Sequence, residues 1–105
     1  MRVVVRSHYS DGVGFWWAYG ALEWLARAGV EPYEALQVLA YAKRWPRRAV
    51  GPAGTVPTIW GRTLTGRALL VVLRPEPGTL DHQIVLAREL TAEEKAQLRE
   101  WEATR

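Results

Sequence analysis

The sequence predicts one α+β domain over residues 1–105: an N-terminal strand and two helices, then a small, mainly antiparallel sheet closed by a C-terminal helix. Three observations carry this. Helix-period apolar spacing is confined to the first half. Short β-branched runs punctuated by Gly and Pro fill the stretch from about residue 47 to 88. A Thr-Ala-Glu-Glu signature at residues 91–94 opens a last helix.

Taken in order, Arg2–His8 alternates around Val3, Val4 and Val5 and reads as a strand, and Ser10, Asp11, Gly12 and Gly14 read as a turn. Phe15 to Ala28 reads as a helix, with Phe15, Tyr19, Leu22 and Ala26 on one stripe and Trp17, Ala21, Trp24 and Ala28 on another. With apolar residues on most sides, Trp17 and Trp24 are expected to be buried, in the core or under a second protomer in a homodimer. Gly29 ends this helix and Pro32 opens the next, where its missing N–H is harmless. Lys43-Arg44-Trp45-Pro46-Arg47-Arg48 ends that second helix. Gly51–Gly54 signals a turn, and Thr55–Leu64 is a strand whose Pro57 and Gly61 suggest a bulge or an edge. Thr65-Gly66 marks a tight hairpin, Arg67–Arg74 a central strand covered on both faces, and Leu80–Arg88 the last strand.

Composition narrows the function. Six tryptophans and a hydrophobic share of 49% exclude a disordered chain, and the absence of cysteine excludes a disulfide framework or a thiolate zinc site. No signal-peptide core or apolar run of membrane length appears, so a cytoplasmic protein with no membrane partner is expected. The net charge of +3 is uneven: −1 over residues 1–42, +6 over 43–88 and −2 over 89–105. Most of the basic middle is arginine, whose forked donors suit phosphate, which points to RNA as a partner. The alternative is that arginine is simply abundant, with twelve Arg against two Lys.

No cofactor is implied. There is no phosphate-binding glycine loop, no histidine or acidic cluster at metal spacing, and no nucleophile-elbow serine. Arg62, Arg67, Arg74 and Arg88 remain, beside or on strands, where guanidinium groups can stabilise charge on a reacting phosphodiester. Such cleavage needs no metal, because the nucleophile is the 2′-hydroxyl of the RNA itself. From spacing alone, ion pairs with the acidic last helix are the plainer reading of these arginines. His82 is either a proton-exchanging group or a hairpin-end side chain, and strict alternation places it on one face with Ile84, Leu86 and Arg88. Lys43, Arg44, Arg47 and Arg48 either contact an RNA backbone, with Trp45 stacking a base, or form an exposed connector. Glu93 and Glu94 are explained by helix capping.

Gly61-Arg62-Thr63-Leu64-Thr65-Gly66-Arg67-Ala68-Leu69-Leu70-Val71-Val72, then Ile84-Val85-Leu86-Ala87-Arg88-Glu89 and Glu93, resembles the BrnT family of RelE-like toxins. So does Leu25–Ala35, a helix, a glycine and a second helix with an acidic-alanine pair. The chain departs from the family pattern at Arg27-Ala28, where Lys-His is usual, and at Leu86 in place of a small polar residue. The resemblance implies a RelE-like fold and a ribonuclease that blocks translation and is silenced by a cognate antitoxin protein. It also places Arg62, Arg67 and Arg88 on family arginines, with Arg88 expected to matter most. The competing expectation is a non-catalytic protein-binding or dimerisation module of the same fold.

Overall fold

The computed structural model describes residues 2–4, 14–52 and 54–104, with the backbone alone for residues 2–4. Six strands form one sheet in the order β1-β2-β6-β5-β4-β3. They are β1 (Arg2–Val4), β2 (Gly14–Trp17), β3 (Trp45–Gly51), β4 (Gly54–Arg62), β5 (Ala68–Pro75) and β6 (His82–Glu89). Every adjacent pair is antiparallel except β2 with β6. Helices α1 (Ala21–Arg27) and α2 (Pro32–Ala40) cover one face, and α3 (Ala92–Ala103) covers the other. The α+β class, the central β5 and the closing helix are as the sequence predicts. The expected turn at Ser10–Gly12 and the end of the first strand lie outside the described residues.

Alternation along β5 builds both cores. Leu69, Val71 and Leu73 point to the α1–α2 side, where they meet Leu25, Val38, Leu39 and Ile84. Leu70 and Val72 point to the α3 side, against Trp60, Leu98 and Trp101. A sheet covered on both faces explains why β5 is apolar almost throughout.

Two segments differ from the sequence expectation. Phe15–Trp17 belongs to a strand, not to a helix running from Phe15 to Ala28: Phe15 pairs with His82 and Trp17 with Ile84. Gly20, at φ 80°, sits in the left-handed region and separates this strand from α1. A segment so rich in apolar residues satisfies both periods, and three consecutive aromatics suit a pleated surface better than a helix. Trp17 is accordingly half-buried against the core, while Trp24 is 54% exposed within this chain. The second difference is Trp45–Gly51, where strand character is expected only from Arg47 and Lys43–Arg48 as a helix end or connector: it is an edge strand in unbroken register with β4 from Trp45↔Trp60 to Gly51↔Gly54. That moves β4 inside the sheet. Pro57 is tolerated there because the β4–β5 ladder begins one residue later, at Thr58↔Val72. Gly61 has a different reason: a Cβ there would lie 3.1 Å from Val38 Cγ1, so α2 rests directly on the strand backbone.

β6 carries a bulge. Val72 pairs with Leu86 and Leu73 with Ile84, which leaves Val85 without an opposite residue. The extra residue reverses the alternation. His82 and Ile84 lie on the α1–α2 side, whereas Leu86 and Arg88 lie on the α3 side.

Candidate nucleic-acid interface

The basic middle of the chain divides into two groups, and carboxylates decide which is which. Arg62 reaches from β4 to α3, with Nε and Nη2 donating to the two carboxylate oxygens of Glu102 at 2.9 and 3.0 Å. Arg88 does the same from β6, its Nη1 and Nη2 donating to Glu94 at 2.7 and 2.9 Å. Arg67, in the loop that joins β4 to β5, donates to Glu89, to Glu34 of α2 and to the Gly29 carbonyl. These hydrogen bonds hold the Arg62 and Arg88 pKa values above the ordinary arginine value. For Arg67 burial pulls downward, and the bonds to Glu89 and Glu34 outweigh it. The Arg88 fork correspondingly holds the Glu94 carboxyl at about 2. Arg62 and Arg88 thus clasp α3 to the sheet, and Arg67 clasps the α1–α2 corner.

The second group is different. Among the described residues no carboxylate pairs with Lys43, Arg47 or Arg48. Arg47 is spent on packing: its guanidinium carbon lies 4.4 Å from the Trp45 ring centre and 4.6 Å from that of Trp60, on the α3 side. Its Nη1 donates to Gln97 at 2.8 Å, and Trp45 stacks on Trp101 with ring centres 5.2 Å apart. Trp45 is therefore committed to the protein and not offered to a base. Arg48, one residue further, points to the opposite face and is exposed, as is Lys43. Arg44 is half-buried, and its Nη1 donates to the Leu39 carbonyl in the last turn of α2 at 2.7 Å. Burial lowers its pKa from the ordinary value.

Arg44 and Arg48 border a cavity of about 590 Å³ on the α1–α2 side, at the open end of the sheet. Phe15, Leu39, Ile59, Leu73 and Leu80 supply its apolar walls, and His82 lies among them. No sequence signal gathers these walls, because they come from three strands, a helix and a turn. The Gly14 N–H donates to Asp81 at 3.0 Å, which fixes the start of β2 and sets Phe15 beside His82 with ring centres 6.2 Å apart. His82 Nδ1 is enclosed and has no hydrogen-bond partner among the described residues. An unpartnered N–H costs more in that position than a bare lone pair, so the neutral ring carries its proton on Nε2.

The residues singled out from sequence are therefore not gathered together, and Arg74 is turned to Gln83. Arg44, Arg48 and His82 share the cavity. Arg47 borders it with its charge turned away, and Lys43, next to Arg44 in the chain, is exposed and not among its lining residues. Arg67 lies near the far end of β6, where its partner Glu89 is seven residues beyond His82, and Arg62 and Arg88 are on the other face. Among the described residues no group of three His, Asp or Glu side chains is placed to hold a metal ion. No helix among them is long and apolar enough to cross a membrane. No protein-family model matches the chain, and no curated protein matches it in sequence.

Proposed function

We propose that this domain is an RNA-directed toxin of the BrnT, RelE-like kind: it engages single-stranded RNA along the basic edge at β3 and cleaves it without a metal. The observation that carries the reading is the sorting of charge. Arg62, Arg67 and Arg88 are matched by carboxylates, while among the described residues Arg48 has no carboxylate partner and lines a concave, largely apolar site, with exposed Lys43 just before the same strand. Unmatched cations next to an apolar cleft suit a polyanion whose bases are accessible.

In the proposed reaction the RNA 2′-oxygen attacks the adjacent phosphorus. Its proton passes to water, and the P–O5′ bond breaks, with the 5′-oxygen taking a proton from solvent. The products are a 2′,3′-cyclic phosphate and a 5′-hydroxyl. Arg44 and Arg48 stabilise the charge that gathers on the non-bridging oxygens. His82, with no acceptor to orient Nδ1, serves better as a hydrogen-bond donor through Nε2 than as the base that a partnered imidazole would be. The test is incubation of purified protein with single-stranded RNA in excess EDTA. Cyclic-phosphate ends are expected, and their absence in the wild type with EDTA or with added magnesium would remove the ribonuclease reading.

A second reading, the non-catalytic protein-binding module, is favoured by Tyr19, Leu22, Trp24 and Tyr33, all at least half exposed on or beside α1 and α2. In the toxin reading the same surface receives the cognate antitoxin, so the two share a surface and differ only in whether RNA is cut.

A further inference from the structure

We infer that the cavity beside His82 is a base-recognition subsite, in which one unpaired nucleobase of a bound RNA lies between the apolar walls and accepts a hydrogen bond from His82 Nε2–H. This rests on the RNA reading above and adds what that reading leaves open, how the strand is held beyond its charge. A volume of about 590 Å³ lies within the range of small-ligand sites, roughly 300–1,000 Å³. Phe15, Leu39, Ile59, Leu73 and Leu80 would leave a phosphate unsolvated, so the interior suits a flat group with apolar faces. Phosphate belongs at the rim, with Arg48. His82 supplies the polar contact. Its Nδ1 is walled in, no hydrogen bond among the described residues engages Nε2, and the neutral tautomer makes Nε2 a donor. A donor in an apolar site selects acceptors, which base edges offer as ring nitrogens and carbonyl oxygens. A ribose phosphate without its base has hydroxyl acceptors but no flat ring with apolar faces to fill the site.

The test is calorimetric titration of the whole chain with 5′-AMP, ribose 5-phosphate and inorganic phosphate, with melting curves for each variant. The wild type is expected to bind 5′-AMP about tenfold more tightly than ribose 5-phosphate, the preference coming from the buried base. His82→Phe keeps a ring but no donor and is expected to weaken 5′-AMP about fivefold without changing ribose 5-phosphate. His82→Gln restores part of the loss. Equal affinity for 5′-AMP and ribose 5-phosphate would overturn the inference, since the edge would then be an anion site alone. An unchanged 5′-AMP affinity in a folded His82→Phe protein would overturn it too. The outcomes separate from those of the reading beneath: base-dependent binding without RNA cleavage keeps the subsite and removes the ribonuclease, and cleavage without base dependence does the reverse.

Discussion

Arg88 illustrates what one residue's surroundings do to its role. The family resemblance makes it the residue expected to matter most, with loss of function and an unchanged melting temperature when it is removed. Its fork onto Glu94 changes that expectation, because Glu94 also accepts the Thr91 N–H and so closes the cap of α3. Arg88→Ala is expected to lower stability by about 1 kcal/mol, since the pair is part-exposed and screened by solvent, which is about 4–8 °C in Tm. RNA affinity should stay within about twofold, and Arg48→Ala should do the opposite, weakening RNA at constant Tm. Glu94 adds a pH signature. Its folded value of about 2 lies below the ordinary 4.5, so the stability it lends is complete above about pH 4.5 and is lost as pH falls through 2. Urea melts of wild type and Glu94→Gln should therefore differ at pH 7 and converge toward pH 2. At this scale the arginines were legible from sequence, but their partners were not: Glu102 is forty residues from Arg62.

Elements were legible where their signals are local. Pro32 at the start of α2, Gly29 in the left-handed region after α1, Gly66 in the β4–β5 loop and the Thr91–Glu94 box all stand where the chain announces them. β2 and the start of β3 were not legible, because their strand character comes from partners far along the chain. β2 pairs with a strand nearly seventy residues away, and β3 is shaped by Trp60 and α3. The bulge at Val85 was equally hidden, and it alone separates His82 from Arg88. The exposure of Trp24 gives a direct check: a variant keeping only Trp24 should fluoresce at a water-like maximum, and one keeping only Trp60, 7% exposed, at a blue-shifted one. Gly61→Ala probes the contact between α2 and β4. Its added methyl would crowd Val38 and is expected to cost about 1–3 kcal/mol in denaturant melts.

For the molecule as a whole, ion pairs with carboxylates take up Arg62, Arg67, Arg88 and Lys95. Among the described residues Arg48, on the β3 edge, lines the cavity without a carboxylate partner, and exposed Lys43 lies just before the same strand. If that edge is the RNA interface, binding should weaken with salt in proportion to the phosphates that it neutralises, about 0.7 in log–log slope for each contact on a single strand. The measurement is fluorescence anisotropy of a short single-stranded RNA across a salt series, for wild type and for Lys43→Ala/Arg48→Ala. The account predicts salt-sensitive binding by the wild type and a slope shallower by about 1.4 in the double variant, with both proteins melting alike. A wild type that binds no RNA, or a double variant with an unchanged slope, would contradict it.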